Sequence, residues 1–266
     1  MPPTLQELTD AAKAYEALFV PSLLGQFAPV VADVARLQRG DRVLDVACGT
    51  GVLAREAAAR TAPAGSVVGL DANPGMLAVA AQLAPAIEWR QGFAESLPFP
   101  DSSFDAVVSQ FGLMFFSDQR QALREMIRVL RPGGRLAVAV WDSLDHAPAY
   151  AAEVALFERV AGRAAADALR APFVLGDRHV LTALVADAGL PEARIATVPG
   201  TADFPSVRTL VEADLRGWLP VMGVTLPEPA IARILEEADD ALRDCVTPEG
   251  RARFAAPAHV VAATRP

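Results

Sequence analysis

Lysine is almost missing from this chain: of 24 basic residues, only Lys13 is a lysine. Chemistry that needs a neutral amine or a Schiff base therefore has one candidate, and pyridoxal-type lysine catalysis is all but excluded. Cysteine is equally scarce. Cys48 and Cys245 stand far apart without partners at metal-ligand spacing, so neither a disulfide framework nor a zinc site is expected. The histidines, at 146, 179 and 259, are scattered, and the expectation is no metal. Basic runs are absent, and 32 acidic against 24 basic residues leave a net charge of −8. Nucleic-acid binders concentrate Lys and Arg on one face, so nucleic acid is not an expected partner. No segment has the ~18 uninterrupted apolar residues of a membrane span, and residues 1–7 lack the basic and apolar regions of a signal peptide. The expectation is a soluble, cytoplasmic protein.

Apolar residues are plentiful at 52%, yet aromatics supply only 6%, and about a fifth of the chain is alanine. Small helix formers dominate. From residue 41 the chain alternates short β-rich runs with helical stretches, the pattern of an α/β protein with a parallel sheet covered on both faces. Strands are expected at 42–47, 66–71, 87–92, 104–110 and 135–141, with helices at 52–60, 74–84 and 119–130. Arg131-Pro132-Gly133-Gly134 stops the last of these helices. Beyond Asp142 the rhythm changes to one long helix at 149–169 and a helix at 178–188. A strand at about 193–204, helices near 206–218 and 229–246, and a terminal strand at 258–264 complete the pattern. The expected organisation is an N-terminal helical segment (1–40), a ligand-binding core (41–145), and the rest of the sheet with helical cap insertions (146–266, insertions at 146–176 and 205–256).

The densest motif is Gly49-Thr50-Gly51-Val52-Leu53-Ala54, which follows a strand and precedes Asp71 by twenty residues, counted from Gly51. This fits a dinucleotide fingerprint, but any adenosine ligand needs the same close backbone approach and ribose-binding carboxylate. Asp45 discriminates. A carboxylate just below the turn repels a pyrophosphate and suits a ligand carrying an ammonium and a sulfonium, such as S-adenosylmethionine. The Tyr-x-x-x-Lys pair of short-chain dehydrogenases has no counterpart, since Tyr15 and Tyr150 are the only tyrosines and Lys13 the only lysine. An NAD(P)-dependent oxidoreductase and a binding protein without transfer activity stand as alternatives.

Val43-Leu44-Asp45-Val46-Ala47-Cys48-Gly49-Thr50-Gly51 and Val68-Gly69-Leu70-Asp71-Ala72-Asn73-Pro74-Gly75-Met76-Leu77 resemble motifs I and II of class I S-adenosylmethionine-dependent methyltransferases. Residues 91–99, 103–109 and 129–134 extend the likeness to the later motifs, over about residues 40–141. The pattern is similar to the branch with the ubiquinone and menaquinone C-methyltransferases. The resemblance implies a Rossmann-like, doubly wound seven-stranded sheet, mostly parallel with an antiparallel last strand, plus a helical cap. It implies that Asp45 and the backbone at Ala47 and Gly49 hold the methionine amino group, while Thr50 and Gly51 line the turn. Asp71 accepts from the ribose hydroxyls, Ala72 and Met76 pack on adenine, and Ala94 reaches the ring edge. Ser109 lies beside the methionine part, and Gly92 and Tyr15 complete the cofactor set. Phe93 departs from the pattern, because that position is often acidic; Phe93 borders the base instead and Glu95 takes the polar role.

The activated cofactor leaves the enzyme to align a small-molecule acceptor and exclude water. Candidate bases are Gln110, Asp142, Asp145, His146 and Tyr15, with His146 first because imidazole titrates near neutrality. Phe111, Leu113, Met114, Phe115 and Phe116 form an apolar stretch after the fourth strand. Phe19, Met114, Trp141 and Trp218 are the candidate acceptor contacts, with Phe173 and Met222 as lid residues. This composition suits a hydrophobic or aromatic acceptor.

Overall fold

The computed structural model describes residues 3–266. Seven strands form the main sheet: β1 (Arg42–Val46), β2 (Ser66–Asp71), β3 (Glu88–Gln91), β4 (Phe104–Gln110), β5 (Leu130–Trp141), β6 (Arg194–Val198) and β9 (Ala258–Thr264). Their order across the sheet is β3-β2-β1-β4-β5-β9-β6. The first five pair in parallel, with Leu44 opposite Val68 and Val107. β9 runs antiparallel between β5 and β6. The α/β class, the seven strands and the antiparallel last strand are as the sequence implies. Val43, Leu44, Val46, Val107, Val108, Val138 and Val140 are all buried, because helices cover both faces of a parallel sheet. Each such side chain contributes about 1.5–3 kcal/mol over its exposed state.

Around the sheet lie α1 (Leu5–Phe19), α2 (Phe27–Val34), α3 (Val52–Thr61), α4 (Pro74–Leu83), α5 (Gln119–Val129), α6 (Pro148–Ala161), α7 (Arg163–Arg170), α8 (Arg178–Asp187), α9 (Val207–Ala213), the short α10 (Leu219–Val221) and α11 (Glu228–Ala241). Caps set several starts: Thr4 and Glu7 form a capping box on α1, and Asn73, Asp118, Asp177 and Ser206 cap α4, α5, α8 and α9. Each such cap stabilises by about 1 kcal/mol. The first helix crosses the start of α4 so closely that a Cβ on Gly75 would lie 2.4 Å from the Leu8 backbone. A glycine is therefore required where the N-terminal segment docks.

Three expectations change. The single helix at 149–169 is two, broken at Gly162, whose φ of +85° suits glycine. The single strand at 193–204 is also two. Pro199 has no N–H to continue a ladder, and Gly200 lies so close to Phe27 and the Ala256 carbonyl that a Cβ would meet both at 2.3 Å. The chain turns there, and β7 (Thr201–Phe204) pairs with β8 (Ala252–Ala255) in a separate small sheet. β8 lies inside the segment read as helical cap. Finally, α9 continues into a π-helical turn, Asp214–Trp218, and α1 into another, Val20–Leu24. Among the described residues, no single helix is long and apolar enough to cross a membrane.

Candidate functional site

The carboxyl ends of β1, β2 and β4 form one crest. After β1 the chain bends through left-handed backbone at Ala47 (φ +57°), Gly49 (+55°) and Gly51 (+87°). Phe111, just past β4, is also left-handed at +58°. Such geometry at non-glycine residues costs ~1–3 kcal/mol and tends to persist at ligand sites. The two turns interlock: a Cβ on Gly112 would approach the Ala47 Cβ to 2.5 Å. Asp71, ending β2, closes the crest. Its Oδ2 accepts from the Gly49 N–H at 2.8 Å, and its Oδ1 from the Asn73 N–H at 2.8 Å. Burial raises the Asp71 pKa, while those backbone donors pull it down.

Asp45 is different. It is 1% exposed, and neither carboxyl oxygen has a hydrogen-bond partner. Burial pushes its pKa well above the ordinary range, and the Asp71 charge adds to the shift. The hydroxyls of Thr50 and Ser109 and Oε1 of Gln110 are likewise buried and unpartnered. An unsatisfied buried polar group costs ~1–3 kcal/mol, and a charged one more. Four such groups gather around this one crest, where unsatisfied buried polar atoms call for a partner.

A cavity of about 830 Å³ opens on this crest. Its walls include, of the expected cofactor residues, Tyr15, Asp45, Ala47, Gly49, Thr50, Asp71, Ala72, Met76, Gly92, Phe93, Ala94 and Glu95. Gln110 and all four expected acceptor residues, Phe19, Met114, Trp141 and Trp218, also line it. The lining contains no Lys, Arg or His. Half-buried Tyr15 has its phenol pKa raised, first by desolvation, and stays a neutral hydroxyl. Its ring lies 5.7 Å from Phe19. Trp141 stacks on Phe111 at 3.7 Å and meets Phe27 edge-on, so most of its surface is core and only an edge borders the cavity. Trp218 donates from Nε1 to the Ala168 carbonyl at 2.9 Å and packs against Phe115.

Three expected site residues do not reach the cavity wall. Gly51 instead backs onto Trp89, 2.4 Å from where a Cβ would stand. Ser109 is wholly buried beneath the crest. His146, the first-choice base, is not among the lining residues: its ring nitrogen sits 3.0 Å from Asp142 in a short 3-10 turn, with its side chain 66% exposed. Asp142 in turn also faces buried His259 at 3.1 Å. The polar role assigned to Glu95 is partly taken up elsewhere, since its Oε1 accepts from the Ser117 N–H and hydroxyl. Phe93 remains 68% exposed at the rim. Sequence reasoning did not pick out Leu23, Leu24, Leu169 or Asp214, all on the cavity wall; the first three carry no chemical signature to find.

Residues 44–138, roughly a third of the chain, match the family model described as a methyltransferase domain. Among curated proteins, the ubiquinone/menaquinone biosynthesis C-methyltransferase UbiE of Hahella chejuensis is 47% identical over 112 residues, covering 40% of this chain and 45% of that protein. A demethylmenaquinone methyltransferase of Chlorobaculum parvum is 46% identical over 109 residues, covering 40% and 44%. The chain thus spans less than half the length of the curated relatives it matches. Among solved structures, a putative methyltransferase of Bacillus halodurans superposes with a TM-score of 0.59 at 20% identity, covering 91% of this chain and 99% of that one. The fold is the one seen in that structure, and residues 44–138 are similar to a methyltransferase domain and to the matching segment of those curated relatives.

Proposed function

We propose that a chain built on this methyltransferase domain moves a methyl group from S-adenosylmethionine to O, N or C of a small, largely apolar metabolite. The observation that carries the reading is Asp45: a fully buried, partnerless carboxylate beneath a glycine turn. It suits an ammonium-bearing ligand and would oppose a pyrophosphate. When bound, the cofactor supplies an activated methyl electrophile.

The chain's own residues then bind, orient and exclude water. Asp45, with the backbone at Ala47 and Gly49, receives the amino group, and Thr50 offers its free hydroxyl. Asp71 already spends one lone pair of each oxygen on the backbone donors of Gly49 and Asn73. A carboxylate has further lone pairs, and these face ribose hydroxyls. Ala72, Met76, Phe93 and Ala94 border the adenine. The first helix, carrying Tyr15 and Phe19, covers the mouth and keeps water from the transfer path. Gln110 donates from Nε2 to the Leu24 carbonyl at 3.0 Å, which ties the fourth strand to this N-terminal cover.

The test is transfer itself. Mass spectrometry of a panel of amines, phenols and quinols, incubated with protein and cofactor, is expected to find a methyl gain and matching S-adenosylhomocysteine. Tight product binding with no methyl gain on any member would favour the binding protein without transfer activity.

A further inference from the structure

Resting on that reading, a second acidic cluster identifies the acceptor's chemistry. Asp214 opens the π-helical turn after α9, is 3% exposed, and stands on the cavity wall beside Tyr150, Phe173 and Trp218. Its Oδ2 is buried without a partner. Behind it, off the wall, lies Glu153 of α6, 0% exposed, with both carboxyl oxygens partnerless. The two carboxyls interact with each other, and burial raises the pKa of both, that of Asp214 to about 7. They stand apart from Asp45, whose own shift is reinforced by Asp71.

Among the described residues, no cationic side chain pairs with either carboxyl. The nearby titratable groups are Tyr150 and Cys245, both held neutral by burial. The cationic side chains on and around the elements packed against the turn and against α6 are engaged with other acids: Lys13 with Asp10, Arg55 with Glu16, Arg159 and Arg233 with Glu237, Arg170 with Glu158, Arg208 with Glu212, and Arg216 with Glu228. Two buried carboxyls without a cation are strongly unfavourable when ionised. A π-helical turn placing one of them on a ligand wall is a further departure of the kind found at functional sites. The surrounding wall is aromatic, so its ring faces favour a positive charge as well. An anionic acceptor finds no counter-charge in a lining without Lys, Arg or His.

We infer that the acceptor is an amine, and that Asp214, backed by Glu153, receives its ammonium group against the aromatic wall. The ammonium enters as the pair gives up its shared proton to solvent. The ionised pair is then the base that takes one proton from nitrogen and leaves its lone pair free. Asp214 touches the acceptor; Glu153 is a positioning residue that sets the charge on Asp214.

The experiment is calorimetry on the full chain saturated with S-adenosylhomocysteine, with benzylamine, benzyl alcohol and benzoate as probes. Failure of S-adenosylhomocysteine to bind overturns the methyltransferase reading itself; its binding leaves the amine assignment to stand or fall on the probes. Benzylamine is expected to bind at least tenfold more tightly than benzyl alcohol, and benzoate not at all. Its heat should differ between buffers of different ionisation enthalpy, reporting proton release of up to one per site at pH 7. D214N should weaken benzylamine at least tenfold with the S-adenosylhomocysteine affinity unchanged. E153Q should retain benzylamine binding and lose most of the buffer-dependent heat, a change that a purely packing role for Glu153 does not produce. Absent benzylamine binding, equal affinity for benzyl alcohol, or an unaffected D214N each overturns the amine assignment. If D214N fails to melt cooperatively, the ranking of the three probes on the unmodified chain decides alone.

Discussion

The two halves of the cavity hold their carboxylates in different ways. At the crest, Asp71 is fixed by backbone N–H groups on either side, and Asp45 sits in a strand whose position the sheet determines. At another wall, Asp214 and Glu153 come from two helical segments, and Asp214 Oδ2 and both Glu153 oxygens have no partner. The crest is a preorganised half, built by strand ends and tight turns. The wall is assembled by helices that lie outside the matched methyltransferase segment of 44–138. A domain of this kind can thus keep one ligand and change the other, since the two sets of carboxylates come from different stretches of chain.

The largest expected effect is at the crest. On the proposed function, Asp71→Ala removes the acceptor for two ribose hydroxyls, and it frees the Gly49 and Asn73 N–H groups. Each charge-assisted bond is worth about 1.5–3 kcal/mol, so losing two should weaken S-adenosylhomocysteine binding by at least about a hundredfold by calorimetry. An unchanged affinity would remove Asp71 from the site. Next comes Gly112→Val, whose Cβ would press on Ala47 at 2.5 Å. Overpacking of that kind costs about 1–3 kcal/mol, read as a lower urea midpoint together with weaker cofactor binding.

A smaller effect tests the wall. Asp214 has a folded-state pKa raised from 3.8 to about 7, so the folded protein holds more protons than the unfolded chain between those values. Stability contributed by this group is then present at low pH and declines as pH rises from about 4 to about 7. The melting temperature of the ligand-free protein should fall along that window, and D214N should flatten the fall. A D214N profile parallel to the unmodified one would show that the carboxyl is not buried as described. The smallest effect is His146→Ala. With its ring largely in solvent and off the cavity, turnover at saturating substrate should stay within about twofold; a loss beyond tenfold would return His146 to the chemistry.

The same contrast explains what the sequence made legible. Short continuous apolar runs, each ending in a turn or a carboxylate, mark the parallel strands and their crest, so Asp45, Gly49 and Asp71 could be placed from residue order alone. The helical wall has no such grammar. In Val211-Glu212-Ala213-Asp214, two acids sit two residues apart, one partly exposed and one buried. The π-helical turn beginning at Asp214 shifts the helix face, so a regular 3.6-residue pattern misassigns the residues beyond it. Pro199 and Gly200 likewise divided a strand that composition alone joined. His146 attracted attention by residue type and loop position, and its partnership with Asp142 could not be read from spacing.

If the crest is built for a cationic adenosyl ligand, titrating the unmodified chain with S-adenosylhomocysteine, NAD and NADP under one set of conditions will separate the three. Saturable one-to-one binding of S-adenosylhomocysteine with a raised melting temperature is expected, with no response to either nicotinamide cofactor. Stabilisation by NAD or NADP without any by S-adenosylhomocysteine would contradict it.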